Sequence, residues 1–157
     1  MTIVLYSSHT GSTKKYAESF SESMGFECHS VSEKIEVTDN VIFFGWLRGP
    51  KIVGIDKVNR QRLMAVVAVS LDENPEFGWN KVKDTNSIAV PFYHVRGWVD
   101  RKKLNVFEKL FFVFLCVIMK LKGLNSHSQP VFDAMMNGGS FYDETPLEQL
   151  KIMCGKH

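Results

Sequence analysis

Six consecutive residues near the N-terminus have types and spacing that suit chemistry: Ser8-His9-Thr10-Gly11-Ser12-Thr13. A short apolar run rich in β-branched residues precedes them and an amphipathic stretch follows, so we expect them to connect a strand to a helix. A loop in that position directs backbone N–H groups at one point, beside the positive end of the helix dipole. The hydroxyls of Ser8, Thr10 and Thr13 are placed to donate to phosphate oxygens. The sequence therefore predicts a phosphate-binding loop.

The loop lacks the motifs that bind ATP and dinucleotides, and this limits which phosphate ligand we expect. It contains no lysine, and it matches neither the GxxxxGK[ST] pattern of P-loop proteins nor the GxGxxG pattern of dinucleotide-binding folds. Gly11 lets the backbone approach a ligand without interference from a Cβ atom. Hydroxyls and amides around a terminal phosphate monoester favour flavin mononucleotide (FMN) over ATP or NAD.

Apolar runs that alternate with amphipathic stretches define the expected fold. We predict five strands, at residues 3–6, 26–31, 41–44, 64–71 and 87–92. We predict helices at residues 11–24, 56–62 and 104–122, and a last one from a capping box at Thr145 to about residue 153. Strands that alternate with helices form a parallel sheet covered on both faces, and the natural order of five strands is 2-1-3-4-5. Residues 72–84 are expected to form a loop with at most one helical turn. Residues 124–143 are polar and expected to be partly mobile, and the sequence assigns no element to them. All of these residues belong to one domain of residues 1–157.

The segment Leu5-Tyr6-Ser7-Ser8-His9-Thr10-Gly11-Ser12-Thr13 resembles the flavodoxin signature, in which (T/S)-x-T-G-x-T follows an apolar strand. The resemblance implies a flavodoxin-like three-layer α/β sandwich with a five-stranded parallel sheet. It also implies FMN as the cofactor, with all six loop residues, from Ser8 to Thr13, at its phosphate.

The flavin ring should lie where the strand order reverses, beyond the carboxyl ends of the strands. The loop after the third strand would supply Gly45, Trp46, Leu47 and Arg48, and the loop after the fourth would supply Leu71, Asp72, Glu73 and Asn74. Trp46 is the candidate to stack on the isoalloxazine ring, and the alternative is that it packs on the following helix. Further along, Phe77 and Trp79 either supply a second aromatic wall or pack within their own segment.

The net charge and the cysteine content of the chain argue against several other functions. The net charge of +2 is too small for a nucleic-acid-binding protein. The three cysteines have no CxxC spacing, which favours a reducing cytoplasm over a disulfide framework, and we expect no metal site. Basic side chains near the flavin, from Arg48, Lys51 and Arg96, would favour the anionic reduced cofactor and suit two-electron chemistry.

The stretch of residues 91–100 and the apolar helix after it loosely resemble the flavodoxin-domain branch that includes menaquinone-dependent protoporphyrinogen dehydrogenases, but no catalytic residue transfers. The apolar run at residues 110–119 is too short to span a bilayer. A helix at 104–122 could touch a membrane surface or a quinone. We favour the alternative, burial between the sheet and its neighbours or in a homodimer interface. His94 is expected to be exposed.

Three functions remain open at this point. The first is an FMN-binding redox protein that transfers electrons to a partner protein. The second is an FMN-dependent dehydrogenase that passes electrons from a porphyrinogen-like or other small-molecule substrate to a quinone. The third is an FMN-binding module without turnover. The sequence identifies no catalytic residue that would separate them.

Overall fold

A computed structural model describes residues 1–155 and has a parallel sheet at its centre. The strands in chain order are β1 (Thr2–Ser7), β2 (Glu27–Ser30), β3 (Asn40–Arg48), β4 (Lys51–Ile52), β5 (Leu63–Ser70), β6 (Phe92–Arg96), β7 (Trp98–Val99) and β8 (Gly139–Ser140). The main sheet has the order β2-β1-β3-β5-β6, with all these neighbours parallel, while β4 pairs antiparallel with the end of β3. Counting the parallel strands alone, this is the predicted order 2-1-3-4-5.

Five α-helices accompany the strands: α1 (Ser12–Met24), α2 (Gly78–Thr85), α3 (Val106–Lys122), α4 (Ser128–Asn137) and α5 (Glu148–Gly155). On one face of the sheet, α1 and α5 bury a core that includes Tyr16, Phe20 and Leu150. On the other face, a second core includes Phe43 of β3 and Val82 of α2. The structure therefore confirms the flavodoxin-like α/β fold with three layers.

The central strands are apolar on both faces because both faces are covered. Residues 41–44 of β3 and residues 65–68 of β5 have no exposed surface. Parallel strands buried in this way have continuous apolar sequences instead of alternating ones. This explains why β3 and β5 contain uninterrupted apolar runs in the sequence.

The fifth parallel strand lies later in the chain than predicted. It comprises Phe92–Arg96, and residues 87–91 form the connection that precedes it. Asn86 ends α2, and its buried side-chain amide accepts from the Ile52 N–H at 2.9 Å and donates to the Pro50 carbonyl at 2.8 Å. Ser87 then has a φ of 51°, which no strand residue adopts. These contacts prevent a strand from beginning at residue 87.

Three further expectations were wrong. The helix expected at residues 56–62 is a pair of 3-10 turns, Ile55–Lys57 and Arg60–Arg62. Residues 124–143, to which the sequence assigned no element, contain α4 and the short strand β8, which pairs with β7. In the same way, the expected loop at 72–84 contains most of α2. The expected capping box at Thr145 is instead a 3-10 turn, with Thr145 bonded to Asp143.

The helix α3 is not buried between the sheet and its neighbours, contrary to expectation. It packs on α4, and Cys116 is its one buried residue. Asn105 and Glu108 form the capping box at its start. At 17 residues it is the longest helix described, and no helix within residues 1–155 is long and apolar enough to cross a bilayer.

Candidate cofactor site

The predicted phosphate loop connects β1 to α1. Gly11 is the N-cap of α1 and has a φ of 103°, a conformation that strongly favours glycine. No side chain caps this helix, and its first turn contains no acidic residue. Because the first N–H groups of a helix lack intrahelical acceptors, they remain available to an anion.

One hydroxyl in this loop is buried without a partner. Among the side chains of residues 1–155, the Oγ of Ser8 is the one polar atom that is fully enclosed and forms no hydrogen bond. Leaving such a group unsatisfied costs about 1–3 kcal/mol. Ser12 and Thr13 are also buried, whereas the neighbouring His9 is exposed. The loop therefore contains an unsatisfied hydroxyl, that of Ser8, beside the uncapped N-terminus of α1.

The residues expected in the loop after the third strand belong to the strand itself. Gly45, Trp46, Leu47 and Arg48 are the last residues of β3, which turns directly into β4. The Trp46 ring stacks on the His9 ring, with centroids 5.7 Å apart and planes at 26°. The guanidinium of Arg48 lies 5.1 Å from the Trp46 ring centroid. Trp46 and Arg48 therefore share one face of β3, next to the phosphate loop.

The two residues that alternate with them face the other way. A Cβ added to Gly45 would come within 2.4 Å of Ile52, and Leu47 packs against the core that contains Ile52. Neither side chain position is directed at the loop. Any contribution of these two residues to a ligand there would come from their backbone atoms.

The predicted segment Leu71, Asp72, Glu73 and Asn74 follows β5 at the same edge of the sheet, and its polar contacts outside the segment are with β5, β6 and the residue before α4. The Leu71 carbonyl accepts from the Arg96 Nε at 2.9 Å. Asp72 lies 3.1 Å from His127, which directly precedes α4, and also accepts from the Asn74 N–H. Glu73 lines an open cavity of about 520 Å³ together with residues that include His94, Arg96 and Tyr142.

The start of α3 also reaches the phosphate loop. Glu108 forms a hydrogen bond with His9, which lies 99 positions earlier in the chain. The Asn105 N–H bond, and to a lesser extent His9 and Arg48, lower the pKa of the Glu108 carboxyl. A carboxylate therefore stands at this side of the loop and holds the exposed His9 ring in place.

Comparison with known families agrees with this geometry. The family model described as Flavodoxin domain matches residues 3–128. The chain belongs to the flavodoxin family. The matched residues contain the phosphate loop, all five parallel strands and α3, and proteins of this family typically bind flavin. No curated protein shows significant sequence similarity to the chain.

The phosphate loop has further neighbours that the sequence did not identify. A Cβ on Gly97 would lie 2.7 Å from the Ser12 Oγ, and a Cβ on Gly11 would lie 3.8 Å from the Trp98 ring. The Lys103 Nζ lies 3.4 Å from the Thr10 carbonyl oxygen. Gly97 and Trp98 directly follow β6 and Lys103 comes shortly after β7, so their position beside the loop depends on where β6 ends. Trp98 and Lys103 cover the side of the loop away from β2, where β6 ends.

His94, which was expected to be exposed, is half-buried. It lies within β6, and its Nε2 forms a 2.8 Å hydrogen bond with the Ser70 hydroxyl. Burial, assisted by the nearby Arg96, lowers the pKa of His94 to about 4. Trp79 packs against this ring at 4.2 Å and against Phe92 at 5.7 Å, so it is a packing residue. His94 is therefore neutral at physiological pH.

Metal-ligating side chains are not clustered in the part of the chain that the structure describes. Within residues 1–155, no three His, Cys, Asp or Glu side chains are grouped so that they could hold a metal ion. The cysteines Cys28, Cys116 and Cys154 are all free. Burial raises the pKa of each thiol, which opposes formation of a reactive thiolate.

Proposed function

We propose that the chain is an FMN-binding redox protein that mediates electron transfer. The observation that carries this proposal is the buried, unpaired hydroxyl of Ser8 at the uncapped N-terminus of α1. A phosphate at this point would accept from that hydroxyl and from the free amides. Without an acceptor, the burial of Ser8 Oγ is a cost that the fold does not otherwise offset.

The surrounding residues fit FMN. Thr10, Thr13 and the amides of the loop would hold its phosphate together with Ser8, and the nearby Lys103 ammonium would add favourable charge. Trp46 would contact the ring, because its side chain lies on the face of β3 next to the loop. Backbone atoms of residues 71–74 would approach the ring edge from β5. The bound cofactor would supply the electron chemistry, while the chain binds it, orients it and sets the local charge.

A second candidate function is an FMN-dependent dehydrogenase that delivers electrons to a quinone. The exposed apolar surface of α3 favours it, because a lipid-soluble acceptor would be met at such a surface. The open cavity at the end of β6 adds no support, because polar groups of Glu73, Arg96 and Asp143 line it. Oxidation of the reduced protein by a short-chain quinone, compared with a protein acceptor such as cytochrome c, would separate the two functions.

Titration with FMN, followed by calorimetry and by quenching of flavin fluorescence, tests the proposal. We expect micromolar or tighter binding. Ser8→Ala should weaken it by about 1.5–3 kcal/mol, the usual contribution of a hydrogen bond to a charged group. The same substitution should leave the stability of the cofactor-free protein unchanged or raise it, because an unsatisfied hydroxyl is removed.

Thr38→Ala is the matched control, since Thr38 is an exposed hydroxyl residue in the connection between β2 and β3. It should bind FMN as the unchanged protein does. Absence of FMN binding to the unchanged protein would overturn the proposal. Equal affinities for Ser8→Ala and Thr38→Ala would show that the loop does not hold the phosphate.

A further inference from the structure

The helix α3 exposes an unusually large apolar surface. Eight of its apolar side chains are between 40% and 83% exposed: Val106, Phe107, Leu110, Phe111, Val113, Phe114, Val117 and Leu121. We call this set the α3 apolar face. Contiguous exposed apolar surface of this kind marks a site of interaction, because water contact with it is unfavourable.

These residues occupy one side of the helix. At about 100° per residue, the α3 apolar face covers a continuous arc of roughly 160°. The opposite side carries Cys116 and packs on α4. Glu108, the one acidic residue of α3, lies outside the arc and is bonded to His9. The outward half of α3 is therefore apolar and contains no negative charge.

Lysines border this face on both sides. By the same helical geometry, Lys109 and Lys120 follow one edge of the arc and Lys122 follows the other. Lys120 lies 5.3 Å from the Phe132 ring centroid, and Lys122 forms an exposed ion pair with Glu76 at 3.0 Å. Two more exposed lysines, Lys102 and Lys103, immediately precede the helix. Long basic side chains beside an apolar face can extend to phosphates while their stems remain in apolar surroundings.

We propose that α3 lies in the surface of a bilayer that contains anionic phospholipids. The α3 apolar face enters the boundary between headgroups and acyl chains, and the bordering lysines contact the lipid phosphates. At about 1.5 Å per residue, α3 is about 25 Å long, so it gives an extended contact while parallel to the membrane. Lys109 and Lys120 give one side of the apolar arc a positive charge that matches anionic lipid, and Lys122 on the other side is paired with Glu76.

A second copy of the chain fits this face less well. In a two-fold contact, the same surface meets itself, so the lysine borders of one copy would face those of the other. The outward half of α3 offers no carboxylate to compensate Lys109 and Lys120, whereas Lys122 is paired with Glu76 of the segment before α2. Like charges opposed across an interface reduce affinity. The distribution of charge thus favours lipid over a homodimer.

This docking surface is connected to the phosphate loop but does not depend on a cofactor. Glu108 and Lys103 both contact the loop, through His9 and Thr10 respectively. Docking through α3 would consequently bring the candidate cofactor site close to the membrane. Vesicle binding is measurable whether or not FMN binds. The membrane proposal and the FMN proposal can therefore be contradicted separately.

Co-sedimentation of the full chain with phospholipid vesicles tests the inference. We expect binding to phosphatidylcholine vesicles that contain about one-quarter phosphatidylglycerol, and at least about fivefold weaker binding to phosphatidylcholine alone. Phe114→Glu should reduce the partition coefficient by about tenfold or more. Ile152→Glu is the matched control, because Ile152 of α5 is 57% exposed and Phe114 is 59% exposed. The control should bind within about twofold of the unchanged protein.

Charge and self-association are tested in parallel. Combined Lys109→Gln and Lys120→Gln substitutions should weaken binding to anionic vesicles several-fold and leave binding to neutral vesicles unchanged. Sedimentation velocity should show a monomer. The inference is overturned if anionic vesicles bind no better than neutral ones, or if Phe114→Glu and Ile152→Glu bind alike. A dimer that Phe114→Glu dissociates, without vesicle binding, would assign the α3 apolar face to a second copy instead.

Discussion

The ring of His9 stacks on the ring of Trp46, with the two centroids 5.7 Å apart. His9 belongs to the loop after β1, and Trp46 lies near the end of β3, the neighbouring strand. The contact joins two sequence-predicted parts of the cofactor site that 36 intervening residues separate in the chain. It also shows that the Trp46 side chain is turned toward the loop and is not packed on a following helix.

The first prediction concerns Trp46. If it contacts the flavin ring, Trp46→Ala should weaken FMN binding by about 1–2 kcal/mol, because an aromatic contact and its buried area are lost. FMN should quench tryptophan fluorescence in the unchanged protein, and much of that quenching should disappear in Trp46→Phe. Trp79→Phe is the control, since Trp79 packs against Phe92 and His94. Unchanged FMN affinity in Trp46→Ala would make Trp46 a packing residue.

The local signals around the first helix were sufficient to predict β1 and α1. The apolar run of β1, the glycine at residue 11 and the glycine that ends α1 each have a direct structural counterpart. Gly11 and Gly25 both adopt positive φ angles, 103° and 68°, at the two ends of α1. Such sites depend on short-range sterics, which a single sequence contains.

The boundaries of β3 and β6 depend on partners that are distant in the chain. The strand β3 continues through Arg48 because Leu47 and Arg48 pair with β4. The start of β6 is delayed because the Asn86 side chain bonds to backbone atoms of residues 50 and 52. A local apolar pattern does not contain these long-range hydrogen bonds, so the predicted boundaries were wrong there.

The orientation of α3 was also beyond local prediction. Ten consecutive apolar residues provide no polar face from which to tell its inner side from its outer side. The side of α3 that is buried is determined by α4, a helix that the sequence did not predict. Because α4 packs against one side of α3, the opposite side is left exposed.

The second prediction concerns the pH dependence of stability. His94 has a pKa of about 4 when folded, against 6.5 for an unperturbed histidine. Between these values the unfolded chain binds the extra proton, so stability should fall as the pH decreases from 6.5 to 4. The expected loss is about 1–3 kcal/mol. Urea unfolding at intervals across this range measures it.

His94→Gln should flatten that dependence, because a neutral side chain replaces the titrating one. The other titrating groups contribute equally to the pH dependence of both proteins, so the difference between the two curves reports His94 alone. The pKa of His29 is raised, chiefly by Glu33, and gives an opposite trend that is present in both proteins. Identical slopes for the two proteins between pH 5 and 6.5 would show that the folded His94 is not held neutral.

The third prediction concerns the hydroxyl of the buried Tyr16. It donates to the Arg96 carbonyl at 2.6 Å and accepts from the Asp143 N–H at 2.7 Å, so it joins β6 to the segment before α5. Tyr16→Phe leaves both backbone groups without this partner and should reduce the free energy of unfolding by about 1–3 kcal/mol. Tyr93→Phe is the control, because the Tyr93 hydroxyl has only a 3.9 Å contact with the Met153 sulfur. Equal stabilities of the two variants would contradict the role given to Tyr16.

The fourth prediction concerns the reduction potential of the bound cofactor. Arg48 lies over Trp46 and so stands next to the proposed flavin ring. Its positive charge should stabilise the anionic reduced form and bring the first and second reduction potentials closer together. Arg48→Glu should lower the second potential by an amount on the order of tens of millivolts. Stepwise reduction of the FMN-loaded protein, followed by absorbance, measures both potentials.

Arg62→Glu provides the matched charge reversal for this experiment. Arg62 is exposed and immediately precedes β5, so it lies at the amino edge of the sheet, whereas Arg48 lies at the carboxyl edge. At that distance its charge is screened by solvent and salt, and the potentials should not change. Because Arg48 is itself exposed, added salt should diminish the Arg48→Glu shift as well. Widely separated potentials in the unchanged protein, with no response to Arg48→Glu, would instead favour a low-potential one-electron carrier and remove the electrostatic argument for two-electron chemistry.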